Sequence, residues 1–177
     1  ALNLVGAALA AATLERAPPK EKVDETGANP IVIWGRHLAT PGLPAAFGVG
    51  FCILFAFVGT FTYVNFVLAR PPLELGMMQI GLVYLVFAPS IATTTLAGRL
   101  SSRFGPQIVA GSGLVVAAGG ALALLVPSAT WVLGGLALVA AGTFLAQAVT
   151  TGFVGRAARS DRGAASGLYL AAYFAGG

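Results

Sequence analysis

The chain has 177 residues, of which 57% are apolar and 9% are charged, and its mean hydropathy is +0.86. Ordinary globular domains carry about 25% charged residues. A soluble chain with so few charges would expose larger apolar patches than soluble proteins tolerate, and disordered chains are poor in apolar residues. The composition therefore excludes a soluble enzyme and a disordered chain, and it predicts an all-α, polytopic membrane protein.

The net charge is +4, from ten Lys and Arg residues against six Asp and Glu residues. The basic residues are few and lie between apolar runs, so they predict membrane topology rather than nucleic-acid binding. Cys52 is the sole cysteine and lies inside an apolar run, which excludes an intrachain disulfide and a cysteine metal cage. No metal site, cofactor or catalytic residue is predicted.

The amino-terminal part divides into a short apolar run and a polar linker. Residues 1–14 are too few to cross a bilayer and are interpreted as the end of a preceding transmembrane helix. Residues 15–43 hold most of the acids and four prolines, which predicts a linker between helices. Within it, residues 31–37 alternate apolar and basic character, so we expect this part to lie at the membrane interface with Trp34 at headgroup level.

The rest of the chain, residues 44–177, predicts a bundle of transmembrane helices, because each span needs about 20 mostly apolar residues. The stretch from 104 to 155 has no charge and is too long for one span, and a turn at 127–130 divides it. Pro89 lies in the middle of the second span and predicts a kink there. Both ends of the chain look like cuts through helices, so we expect a piece of a longer protein. The predicted spans are about 44–68, 75–97, 107–126, 131–154 and a truncated 164–177.

Charge asymmetry predicts the orientation of these spans. The segments 15–43, 98–106 and 155–163 are rich in Lys and Arg, whereas the turns at 69–74 and 127–130 carry no excess of basic residues. Basic and neutral segments alternate strictly along the chain. The positive-inside rule therefore predicts that the three basic segments are cytoplasmic.

The segment between the second and third spans reads AGRLSSRFGPQ from position 97 to position 107. It resembles the G-x-L-x-D-R-x-G-R-[KR] signature of the major facilitator superfamily, in the copy between helices eight and nine. Ser102 replaces the acid of that signature, and Pro106 and Gln107 replace its last basic residues. The matching positions are Gly98, Leu100, Arg103 and Gly105.

Two further segments carry the resemblance. Residues 59–68, GTFTYVNFVL, are similar to helix seven of the YnfM-like branch of exporters, and residues 155–177 resemble the entry to helix eleven of bacterial efflux members. The polar linker corresponds to the central loop of that family. The resemblance implies the carboxy-terminal half of a twelve-helix fold, from the end of helix six to part of helix eleven, working by alternating access in a bacterial inner membrane.

Polar side chains inside the spans are candidates for the substrate path, because lipid cannot satisfy them. They cluster near the outer end of the first span, recur at helical spacing on the fourth span, and form an aromatic pair on the fifth. The resemblance implies that helices seven and ten face a central cavity. The alternative for each threonine is packing, with its hydroxyl bonded to its own helix. The candidates are Thr60, Tyr63, Asn65, Thr143, Gln147, Thr150, Tyr169 and Tyr173.

The basic segment at 98–106 is a candidate gating loop. Its arginines can pair with free carbonyls at a helix end, and the resemblance implies that this element steadies one conformational state during transport. The alternative is that the arginines only anchor the topology. The residues concerned are Gly98, Arg99, Arg103 and Gly105.

The predicted function is secondary active transport of small molecules, as an efflux carrier or antiporter; the alternative is a channel or a structural membrane subunit. An enzyme is not expected. The partners are a small-molecule substrate, the lipid bilayer and the amino-terminal half of the same transporter, with protons as the candidate coupling ion. The spans contain no titratable Asp, Glu, Lys, Arg or His, so the proton-carrying group of a proton-coupled carrier is expected outside this chain.

Overall fold

The computed structural model describes residues 29–71, 73–158 and 160–177, so the helix end predicted at 1–14 and most of the linker lie outside it. The described residues form helices joined by turns and contain no strand, which confirms the all-α fold. The helices are α1 (Pro30–Ala39), α2 (Leu43–Ala69), α3 (Met77–Val83), a 3-10 turn (Tyr84–Phe87), α4 (Ala88–Phe104), α5 (Pro106–Ala123), α6 (Ala129–Ala157) and α7 (Arg162–Ala175).

Four of these segments are long and apolar enough to cross a membrane, namely Leu43–Ala69, Met77–Phe104, Pro106–Ala123 and Ala129–Ala157. Helix α7 follows them and, with 14 residues, is shorter than each of these spans. The described arginines other than Arg70 gather at one end of the bundle, which we call the basic end; the turns at 70–76 and 124–128 form the opposite, neutral end. The residues of the basic end are Arg36, Arg99, Arg103, Arg156 and Arg162.

The second span is interrupted, as its proline predicts. Helix α3 ends at Val83, a 3-10 turn follows, and α4 begins at Ala88 with Pro89 in its first turn. Proline has no N–H to donate and its ring clashes with the preceding turn of an α-helix. The distortion therefore falls in the residues just before Pro89, where the 3-10 turn Tyr84–Phe87 lies.

The predicted loop at 98–106 is wrong over residues 98–104, because α4 continues through Gly98 to Phe104. A helix satisfies its own backbone N–H groups whether or not it is surrounded by lipid. It can therefore continue past the end of the apolar run into polar residues. The hydroxyl of Ser102 also donates to the carbonyl of Gly98 at 2.9 Å. The interruption is confined to Gly105, whose φ of +86° is readily adopted by glycine.

Helix α1 occupies the segment for which an interfacial position is predicted. Asn29 caps it, with the Ile31 N–H donating to the Asn29 side chain at 3.1 Å. His37 is buried, whereas Ile31 and Trp34 are exposed. The guanidinium of Arg36 forms an ion pair with Asp161 in the turn between α6 and α7, which ties α1 to the basic end.

Helix α6 lies at the centre of the bundle and packs against α2, α4, α5 and α7. Its tightest partner is the antiparallel helix α5, because glycines face each other across the interface. A Cβ atom added to Gly120 would lie 2.6 Å from the carbonyl oxygen of Gly135, and Gly113 is similarly close to Gly142. The absence of side chains at these four positions allows the two backbones to touch.

Candidate functional site

Asn65 is bonded to the interrupted span rather than left facing lipid. Its Nδ2 lies 3.1 Å from the Tyr84 hydroxyl and 3.0 Å from the carbonyl oxygen of Phe61, and its Oδ1 lies 3.2 Å from the same hydroxyl. The 3-10 turn before Pro89 presents Tyr84 to α2. The pair therefore closes a polar contact between α2 and the interrupted second span in the half of the bundle nearer the neutral end.

Next to this pair lies a cluster of aromatic rings from three elements. The Phe87 centroid is 4.7 Å from that of Phe61 and 5.8 Å from that of Phe57, and Phe144 of α6 meets Phe57 edge-on at 5.8 Å. Such edge and tilted contacts are favourable arrangements of aromatic rings. The cluster fixes the relative positions of α2, the 3-10 turn and α6.

A cavity of about 460 Å³ opens beside the aromatic cluster. Tyr84, Phe87 and Phe144 form its aromatic wall, and Ser90 and Thr94 of α4 supply its hydroxyl groups. Ser90 is buried, and its hydroxyl has no hydrogen-bond partner within the described residues. Buried polar groups are usually satisfied, so the Ser90 hydroxyl is an exception among the described residues. The cavity wall carries no charge, which suits a small uncharged ligand.

A second polar contact joins α6 to α7. The Tyr169 hydroxyl donates to Oε1 of Gln147 at 3.1 Å, and Thr151 also lies within hydrogen-bonding reach of it. The ring of Tyr169 packs against Gly50 of α2, where an added Cβ would lie 2.7 Å from a ring atom. The half-buried Tyr173 continues this surface, with its ring centroid 6.2 Å from that of Tyr169.

Two of the threonine candidates are placed inside the bundle. Thr143 is 2% exposed, and its hydroxyl donates to the carbonyl oxygens of Val139 and Ala140 at 2.7 and 3.1 Å. Thr150 is buried as well. The helical spacing on α6 is regular, but α6 is surrounded by four helices, so this part of the polar stripe faces the core. The bonds of the Thr143 hydroxyl to its own helix fit the packing alternative, whereas the buried hydroxyl of Thr150 has no hydrogen-bond partner among the described residues.

The candidates on α2 diverge from one another. Thr60 is half-buried, and Tyr63 is 70% exposed with its ring 6.4 Å from that of Phe66. Tyr63 lies on the opposite side of α2 from Phe61 and Val64, which pack into the core. The structure therefore separates Tyr63 from Asn65, although two positions divide them in the sequence.

At the basic end, Arg99 and Arg103 are exposed on the last turns of α4. The guanidinium of Arg103 lies 5.2 Å from the ring centroid of Phe104, a cation–π distance. Gly98 lies within the helix and Gly105 forms the break between α4 and α5. Helices α4 and α5 therefore meet in a short corner at Gly105, and the exposed side chains of Arg99 and Arg103 lie on the α4 side of it.

Sequence reasoning missed Tyr84, Phe87, Ser90 and Phe144. Pro89 could have indicated Tyr84, Phe87 and Ser90, because these three residues lie within five positions of it. Sequence reasoning also missed the ion pair of Arg36 with Asp161, since the two residues are 125 positions apart.

Sequence comparison agrees with this architecture. The chain matches the profile of the Major Facilitator Superfamily over residues 1–177. The chain belongs to the major facilitator superfamily. As predicted from residues 59–68, YnfM is among its relatives, and the all-α bundle is consistent with half of the superfamily fold.

Among the curated proteins, the chain is 32% identical over 160 residues to the uncharacterized MFS-type transporter YybF of Bacillus subtilis, covering 90% of this chain and 38% of YybF. It is 30% identical over 142 residues to the inner membrane transport protein YnfM of Escherichia coli, covering 79% of this chain and 34% of YnfM. An uncharacterized transporter of Buchnera aphidicola (subspecies Baizongia pistaciae) is 28% identical over 136 residues, covering 77% of this chain and 34% of that protein. The matched part of the chain thus spans about a third of the length of these curated relatives. No solved structure matches it.

Proposed function

We propose that this chain forms the carboxy-terminal half of a secondary active transporter that exports small molecules by alternating access. The observation that carries the proposal is the pairing of polar residues within an otherwise apolar, uncharged bundle, in a chain of the major facilitator superfamily. Polar groups inside a membrane bundle are expensive and are retained at substrate paths. Relatives in bacteria, described as transporters, support the same class and favour an inner-membrane location.

The substrate path runs between the two polar contacts. Asn65 and Tyr84 mark its part nearer the neutral end, and Gln147, Tyr169 and Tyr173 mark its part nearer the basic end. The cavity beside the aromatic cluster lies on the side of the first contact. Because the described lining offers aromatic faces and hydroxyl groups, the substrates are small, amphiphilic and uncharged.

The corner between α4 and α5 is the gate of this half. Gly105 supplies a flexible point between two helices, and Arg99 and Arg103 hold the corner at the membrane surface. A proton gradient is the proposed driving force, with the titratable group carried by the rest of the transporter, since the spans of this chain hold none.

The alternative is a channel or a structural membrane subunit. The hydrophobic spans and the alternating charges suit it equally well. The signature at positions 98–105 favours the carrier, because a pore without alternating access does not require a flexible connection between two helices.

An efflux assay distinguishes these functions. Cells producing the full-length protein are de-energised, loaded with Nile red, an uncharged aromatic amphiphile, and then given glucose. We expect energy-dependent efflux that Gln147→Ala slows markedly and Tyr169→Phe slows less. Ser112→Ala is the matched control, because its hydroxyl is bonded to the carbonyl oxygen of Val109 on α5, outside the path. Efflux that ignores energisation would contradict the carrier and favour a channel, and unchanged efflux in Gln147→Ala would remove Gln147 from the path.

A further inference from the structure

A second cavity, of about 350 Å³, lies at the basic end, where α4, α5 and α6 meet. Its walls include Ser101 and Ser102 of α4, Pro106 at the start of α5, and Arg156 of α6. The guanidinium of Arg156 lies against the backbone of α6, since an added Cβ at Gly152 would be 3.2 Å from Nη1 of Arg156. The cavity therefore has a cation on one wall and hydroxyl groups on the opposite wall.

The positive charge of this cavity is uncompensated within the described residues. The described chain contains two carboxylates, of which Asp161 is paired with Arg36 and Glu74 lies at the neutral end. Arg156 has neither as a partner. The Ser101 hydroxyl makes no hydrogen bond in the same part of the chain, and no side chain caps the start of α5, which adds the positive end of a helix dipole. An anion would meet a charge, a donor and a dipole of the right sign.

The rest of the cavity wall is apolar. It is formed by Ala97 of α4 and by Ala148 and Val149 of α6. A ligand with its charge beside Arg156 would place its apolar part against this wall. Basic pockets between transmembrane helices on the cytoplasmic side bind lipid headgroups, and the cytoplasmic leaflet is anionic.

From these contacts we infer that the cavity binds the phosphate of an anionic phospholipid, with Arg156 as its charge partner and Ser101 as a hydrogen-bond donor. This lipid site is independent of the substrate path. The site lies at the corner between α4 and α5, so a bound lipid would hold that corner against α6.

The test measures binding of short-chain phosphatidylglycerol to the purified full-length protein by native mass spectrometry, with phosphatidylcholine as the neutral comparison. The wild-type protein should prefer phosphatidylglycerol, and Arg156→Gln should weaken its binding about fivefold, the effect of one basic residue near an anionic surface. Arg162→Gln is the matched control, because it removes the same charge from the same end of the bundle but outside the cavity.

Arg156→Lys keeps the charge and should retain more of the preference than Arg156→Gln. Ser101→Ala provides an independent arm if Arg156→Gln does not fold, and it should also weaken binding. Equal losses in Arg156→Gln and Arg162→Gln would overturn the site. If inorganic phosphate displaces phosphatidylglycerol at an equal concentration, the site takes a free anion and the assignment to lipid is overturned.

Discussion

The contact between α5 and α6 makes the sharpest prediction about stability. In Gly120→Ala the new Cβ would lie 2.6 Å from the carbonyl oxygen of Gly135, whereas ordinary contacts begin at 3.4 Å. The helices must therefore separate by about 0.8 Å, and a gap of that size forfeits about a quarter to a half of each dispersion contact that it opens. Overpacking of this kind costs about 1–3 kcal/mol.

The neighbouring glycine provides the control. Gly119 faces open space within the described chain, and alanine is favoured over glycine in a helix by about 0.5–1 kcal/mol. Both variants gain this helix preference, so it cancels, and their free energies of unfolding should differ by the overpacking cost of about 1–3 kcal/mol, with Gly119→Ala the more stable. Denaturant titration of the full-length protein in detergent measures the difference. Equal stability of the two variants would refute the glycine contact.

Three further predictions concern polar contacts. Tyr84→Phe removes the hydroxyl bonded to Asn65 and should lower the free energy of unfolding by about 0.6 kcal/mol, the average for interhelical hydrogen bonds in membranes; no change would show that the bond adds nothing. Ser90→Ala removes a buried hydroxyl that has no partner among the described residues, so it should leave stability unchanged or raise it by about 1 kcal/mol; a loss of stability would show that the hydroxyl is bonded. A double-mutant cycle of Arg36→Gln and Asp161→Asn should give a coupling of about 0.2–1 kcal/mol, typical of exposed ion pairs, that shrinks at high salt.

The sequence predicts what depends on local chemistry. The length of the apolar runs indicates the helices. Pro89 indicates the distortion in the second span, because a proline acts on the turn of helix that precedes it. The end of α4 was placed too early, since the motif at 98–105 reports where the chain leaves the membrane and a helix does not have to end there.

The parts that were not predicted depend on which helices become neighbours. The stripe on α6 looks like a cavity wall in sequence, but Thr143 faces the core because helices surround α6 on several sides. Likewise, the sequence offers Gly111, Gly113, Gly119 and Gly120 as equally small residues, and the register between α5 and α6 selects Gly113 and Gly120 as the pair that faces the neighbouring helix. Periodicity identifies a face of a helix, but packing decides what that face contacts.

The most direct test of the alternating-access path is the accessibility of position 147 from the two sides of the membrane. Gln147→Cys is introduced into the full-length protein with Cys52, which is exposed, replaced by serine, and labelled with a membrane-impermeant maleimide in vesicles of each orientation. Thr143→Cys, at a buried position, should stay unlabelled. We predict labelling of position 147 from both sides, with a ratio that shifts on energisation. Labelling from one side alone, or a ratio that energisation leaves unchanged, would contradict the account.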